Sequence, residues 1–181
     1  MYKIIILIVV ATIIGLVAFA SIEQEMGAPS SETSTSTKVD EEDNITVTLT
    51  GEVTRPGTYY VPLNSTLGDA IDKASGTTSN ADYLAFNTSF VVESGMSFYI
   101  APLYDNSNTC SVAPLNKVNI NTADKSTLMN VPGFGDAVSS ALITYRDSHG
   151  LFQRIEEIKD VPGIGEATFS KAKNNIQLRS A

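Results

Sequence analysis

The sequence predicts a multidomain chain: a single N-terminal transmembrane helix, then a small α+β domain, then an all-α domain made from a repeated unit. Three observations carry this. The nineteen residues from Ile4 to Ile22 contain no charge. Residues 45–101 hold strand-like runs around one short helical pattern, with Pro-Gly and Gly breaks between them. The heptapeptide VPGFGDA at 131–137 returns as VPGIGEA at 161–167, an offset of thirty residues.

As a helix rising about 1.5 Å per residue, the first segment spans roughly 28 Å, close to one bilayer core. Lys3 precedes it, and Glu23 and Glu25 follow it. That bias favours a single-pass orientation with the N-terminus inside the cell membrane and everything after Ile22 extracytoplasmic. Ala18-Phe19-Ala20 also fits the small-x-small pattern of a signal-peptidase site, so residues 1–22 read as an anchor or a signal peptide. Residues 23–43 are acidic, Ser/Thr-rich and nearly free of large apolar groups, the composition of a disordered linker.

In 44–104, Ile45 to Leu49 alternate apolar residues with Thr, Arg55-Pro56-Gly57 marks a turn, and Thr58 to Val61 reads as the returning strand. Ser65 or Thr66 can cap a helix from Leu67 to Ala74 that stops at Gly76, and Ser97 to Ala101 is a last strand. The runs GEVTRPGTYYVP, TLGDAIDKASG and GMSFYIAP resemble the SLBB domain, a β-grasp-like module. That resemblance implies ligand binding at the cell surface or self-association, and self-association is the expectation favoured here. Tyr59, Tyr60, Tyr83 and Tyr99 are expected in ordinary core and rim packing. Residues 105–115 lack periodicity and read as a second linker.

Residues 116–181 hold the repeat. Asn121 can cap a helix with Asp124 at its third position, and Leu128 and Val131 give it an apolar edge. Ala137, Ala141, Leu142 and Tyr145 recur at helical spacing as far as Gly150. The second copy repeats the plan, with Ile155 and Ile158 before its hairpin and Ala167, Ala172 and Ile176 after it. Each unit is helix, hairpin, helix.

Gly133, Gly135, Gly163 and Gly165 permit positive φ and close approach of a ligand, while the N–H groups opening the next helix lack intrahelical partners. Phosphate is their natural acceptor. A backbone cradle touches phosphate and not base edges, so it binds nucleic acid without reading sequence. Two such cradles suit the two antiparallel strands of double-stranded DNA.

The runs VNINTADKSTLMNVPGFG and ITYRDSHGLFQRIEEIKDVPGIGEATFSKAKNNI resemble the paired helix-hairpin-helix family, over about residues 117 to 178. Anchor, SLBB-like domain and paired hairpins in that order resemble the Gram-positive type of the ComEA family of competence proteins. The resemblance implies a receptor that captures extracellular double-stranded DNA and passes it to DNA-uptake channel components during natural transformation. Carried onto this sequence, the DNA-binding positions are Gly133, Gly135, Ala137, Gly163, Gly165, Ala167, Lys171 and Lys173. Val138 and Ala167 stand where the family often has lysine, and Asp136 and Glu166 lie beside the glycines, charges expected to repel phosphate. The alternative is therefore an envelope structural or interaction protein whose hairpins no longer bind DNA.

The net charge of −8 does not exclude a nucleic-acid partner, because it is uneven. Residues 1–115 hold 4 basic and 13 acidic residues, a net of −9, whereas 116–181 hold 8 and 7, a net of +1. The lone Cys110 excludes an intramolecular disulfide and a Cys-based metal site. The one histidine, His149, reads as a helix-end cation, and adjacent Glu156 and Glu157 as a solvated face. No enzyme, cofactor or metal is expected.

Overall fold

A computed structural model describes residues 44–105 and 113–180. The expected anchor, the first linker and Cys110 lie outside these residues. Among the described residues no helix is long and apolar enough to cross a membrane.

The first domain is a three-stranded sheet with a helix against it. Strand β1 (Asn44–Gly51) pairs antiparallel with β2 (Gly57–Pro62), from Asn44 opposite Pro62 to Leu49 opposite Gly57. Helix α1 (Leu67–Lys73) opens on the Thr66 capping box: Thr66 Oγ1 accepts from Asp69 N–H, and the Asp69 carboxylate accepts from Thr66 N–H. Strand β3 (Met96–Ile100) runs parallel to β1 on its other side, giving the order β2-β1-β3. Ile45, Val47 and Leu49 project into the core with Val61, Leu67, Ile71, Phe98 and Ile100. The period-2 reading of β1 therefore holds, with Thr46 and Thr48 on the other face. At the end of β1, Gly51 has φ +82°, and a Cβ there would stand 2.2 Å from Ile100 O. Only glycine fits that corner.

The second domain contains two short helices and a long one, joined by the two hairpins. Its order is β4 (Val118–Asn119), α2 (Lys125–Leu128), α3 (Asp136–His149), a 3₁₀ segment (Ile155–Asp160), α4 (Glu166–Ala172) and β5 (Ile176–Gln177). β4 and β5 pair parallel, so a two-residue ladder closes a domain expected to be all-α. The duplication is visible in the core. Leu128 and Ile158, Val131 and Val161, and Phe134 and Ile164 are buried pairs thirty residues apart.

Four expectations need correction. The cap of α2 is Asp124, whose carboxylate accepts from Thr127 N–H at 2.7 Å. Asn121 lies three residues too early and ties two loops together instead, donating to Phe152 O and Leu178 O at 3.0 Å each and accepting from Phe152 N–H at 2.8 Å. The helix before the second hairpin is 3₁₀, the tighter form common in such short connectors. Tyr60 is 72% exposed, beyond rim packing, whereas Tyr83 keeps a rim contact, its ring 5.4 Å from that of Phe86 and its hydroxyl 2.7 Å from Thr77 Oγ1. Glu156 is buried, not solvated.

The two domains share a core. Ala85 and Ala101 of the first are buried in one cluster with Ile120, Ile158 and Phe169 of the second, with Tyr99 packed against it. Leu178 N–H donates to Leu84 O at 2.9 Å, and Arg179 Nη2 donates to Tyr83 O and Phe86 O at 2.7 and 2.8 Å. Lys117 and Asp82 form an ion pair at 2.8 Å with both side chains nearly inaccessible. Burial pulls the Lys117 pKa down, and the Asp82 carboxylate opposes that shift. At the expected second linker, Leu115 N–H donates to Leu103 O at 3.0 Å, so the described ends of that stretch are pinned to each other.

Candidate functional site

Each hairpin is a tight turn with a buried apolar residue at either end. Phe134 N–H donates to Val131 O, and Ile164 N–H to Val161 O, both at 3.0 Å. Pro132 and Pro162 fix φ at the second turn position, and Gly133 and Gly163 follow at φ +89° and +93°. Proline followed by a left-handed residue is the type II pattern. Val131, Phe134, Val161 and Ile164 plug each turn into the core, leaving the prolines and glycines exposed.

The chain then enters a helix without a side-chain cap. Gly135 precedes α3 and Gly165 precedes α4, both with extended backbone, and neither N-terminus receives a side-chain cap bond. The first-turn N–H groups are thus left for an outside acceptor. A Cβ at Gly135 or Gly165 would meet nothing within 4 Å. Packing within the fold does not demand glycine there, and the space in front of the amides is open.

The two hairpins are related reciprocally. A Cβ on Gly133 would lie 3.5 Å from Thr168 and Lys171 on α4, and one on Gly163 would lie 3.4 Å from Val138 on α3. Val138 and Thr168 are thirty residues apart, the offset of the repeat. Each hairpin therefore leans on the helix of the other unit, which sets both cradles in one approximately two-fold arrangement. Ala137 and Ala167, in the first turns, are exposed. Lys171 is exposed beside the first hairpin. Lys173 is elsewhere: its ammonium stands 3.9 Å from the ring centroid of Tyr99, at the junction with the first domain.

The acids beside the glycines have partners that spacing along the chain did not reveal. Lys125 meets Asp136 at 2.6 Å, and Lys159 meets Glu166 at 3.4 Å. Lys159, unassigned from the sequence, also lies 5.1 Å from the Phe169 ring centroid. The two lysines are not repeat equivalents, since thirty residues after Lys125 comes Ile155. Both pairs are solvent-exposed and hence weak, but they neutralise the charge expected to oppose an anion.

His149 ends α3, stacked 4.2 Å from Tyr145, with Nδ1 3.1 Å from Tyr145 O. Among the described residues no group of three or more His, Cys, Asp or Glu is placed to hold a metal ion.

Residues 113–177 match the helix-hairpin-helix motif family and residues 46–98 the SLBB domain family. ComE operon protein 1 of Bacillus subtilis is 32% identical over 146 residues, covering 76% of this chain and 71% of that protein. The chain belongs to the ComEA family. The chain is also similar, over about a third of its length, to other proteins. A protein of Haemophilus influenzae is 39% identical over 61 residues, 33% of this chain and 54% of its own. Human endonuclease/exonuclease/phosphatase family domain-containing protein 1 is 34% identical over 64 residues, 35% of this chain but 11% of its own.

Proposed function

We propose that this chain is a membrane-anchored, extracytoplasmic receptor that binds double-stranded DNA without reading its sequence, for delivery to the uptake channel in natural transformation. The observation that carries the reading is the reciprocal pair of hairpins, each with uncapped helix N–H groups behind an open glycine. Phosphates of opposite strands are the acceptors that two such cradles accommodate together. Lys171 supplies a cation beside the first cradle, and the Lys125 and Lys159 pairs lower the repulsion from Asp136 and Glu166. The role is binding, without catalysis. The anchor at 4–22 would hold the protein in the cell membrane with both domains outside, and β2, the outer strand of its sheet with exposed Tyr60, is a surface for self-association.

The test is duplex binding by the full chain across a salt series. The expectation is a log affinity that falls with log salt by about 0.9 per phosphate neutralised. Absence of binding near ~50 mM salt would remove the proposal. Gly135→Val and Gly165→Val place a side chain in the open space, where the fold has room but a phosphate would be blocked. Affinity should fall about tenfold or more in the double variant, from loss of backbone bonds to charged oxygens.

One observation favours a second reading, an envelope interaction protein without DNA binding. Val138 and Ala167 supply no charge, and Lys173 is engaged by Tyr99. The salt series decides between the two, because that reading requires no salt-dependent association with duplex.

A further inference from the structure

The second helix-hairpin-helix unit is the less self-sufficient of the two. Both units enter on short segments, four residues in the first and six in the second, but the exit helix of the second has seven residues whereas α3 of the first has fourteen. Helices this short are marginal without outside packing. The first unit is fastened from within its own domain, where Arg146 on α3 donates to Ile120 O and Ala123 O, both at 2.8 Å.

The second unit is also gripped from the other domain: Leu178 N–H donates to Leu84 O near its end, and one residue, Tyr99, supplies three further contacts. Tyr99 lies on β3, the sheet edge that meets the 3₁₀ segment. Its backbone N–H donates to Glu156 Oε1 at 2.5 Å, its hydroxyl donates to Asn174 Oδ1 at 2.7 Å, and its ring lies beneath the Lys173 ammonium at 3.9 Å. Glu156 belongs to the segment that enters the second hairpin, and Lys173 and Asn174 directly follow the helix that leaves it. One side chain and its amide thus hold both ends of the unit.

We infer that Tyr99 is a positioning residue for the second hairpin: the SLBB domain braces half of the hairpin pair and sets the arrangement in which the two cradles face one duplex. The consequence for DNA rests on the function proposed above. The bracing itself does not. A first domain that served only for tethering or self-association would need no such grip on the hairpin unit.

Amide hydrogen exchange on the full chain in detergent, without DNA, tests the bracing region by region. Tyr99→Ala should raise exchange across residues 155–178 about tenfold relative to the native chain, the loss expected for a hydrogen bond and a cation–π contact together. Residues 131–149 should stay near their native rates. Tyr99→Phe keeps the ring and the backbone bond and loses only the bond to Asn174, so it should fall between, at about threefold, and it carries the test if the alanine variant does not fold. In parallel, affinity for a duplex too short to seat two copies should fall in the same order. A uniform rise across both domains, no rise at 155–178, or equal effects of Tyr99→Phe and Tyr99→Ala would overturn the inference. If the native chain does not bind the duplex, the proposed function fails, and the exchange pattern still decides the role of Tyr99.

Discussion

Within each hairpin the two glycines serve different ends, and separate substitutions distinguish them. Gly133 and Gly163 hold left-handed backbone. Alanine there should cost about 1 to 2 kcal/mol of stability per site, measured by denaturant titration. Gly135 and Gly165 are extended and face open space, so substitution there should chiefly affect DNA affinity. The glycine pattern was legible in the sequence because turn chemistry is local. Glu156 was not, because its partner Tyr99 lies 57 positions away. Burial pushes the Glu156 carboxyl above the usual carboxylate range, against the lowering effects of the bond from Tyr99 N–H and the charges of Arg154 and Lys159. Between the ordinary value of 4.5 and the raised one, the folded state holds more protons than the unfolded state. Stability contributed by this group is therefore greatest below the ordinary value and declines as pH rises through that window. Glu156→Gln should flatten that part of the stability profile, and an unchanged slope in denaturant melts across the window would contradict the assignment.

At the level of elements, periodicity located β1 and α3 closely, because each has one buried and one exposed face, whereas β4 and β5, two residues each, gave no period and Ile176 was expected on the exit helix. The short connectors escaped it. Asn121 and Asp124 are both good capping residues three positions apart, and the sequence alone does not say which one the chain uses. The structure gives each a job of different weight. Asp124→Ala removes a cap on an exposed turn and should cost about 1 kcal/mol. Asn121→Ala removes three bonds that join the 120s, the 150s and the residue after β5, and it strands backbone groups that are part-buried. Its cost should be about 2 kcal/mol or more, and chemical denaturation of the two variants side by side checks the order. Ser139, inside α3, presents the opposite case. It is fully buried, and its hydroxyl has no hydrogen-bond partner among the described residues. It stands at the repeat position filled by Phe169 in the other unit. Ser139→Ala should leave stability unchanged or raise it by up to about 1 kcal/mol, since an unsatisfied buried hydroxyl is removed with little loss of volume.

At the scale of the molecule, composition and turn signals separated two domains but gave no sign that they are fused. Ala85 and Ala101 are small residues that any β-rich module would tolerate, and nothing in the spacing of Lys117 and Asp82, 35 positions apart, pairs them, although they are buried against each other. Contacts across a boundary leave no period in the sequence, which is why spacing alone does not reveal the contacts on either side of the expected linker at 105–115. The shared core makes a definite thermodynamic prediction. Separating the domains would expose apolar surface around Ala85, Ala101 and Tyr99 and break the backbone bonds at Leu84, and removing Lys117 alone would leave Asp82 buried without its partner. A buried pair that loses one partner is strongly destabilised. The two domains should accordingly unfold together, in one transition whose denaturant dependence reflects the surface of both. Two probes report on this independently: near-ultraviolet signals from the tyrosines, concentrated in the first domain, and far-ultraviolet helicity, concentrated in the second. Coincident transitions are expected for the native chain. Lys117→Ala should lower the common midpoint while keeping the curves superimposed if docking still holds, and should split them if the ion pair is what couples the domains. Non-coincident curves for the native chain would mean that the interface contributes little, and the bracing of the second hairpin by the first domain would fall with it.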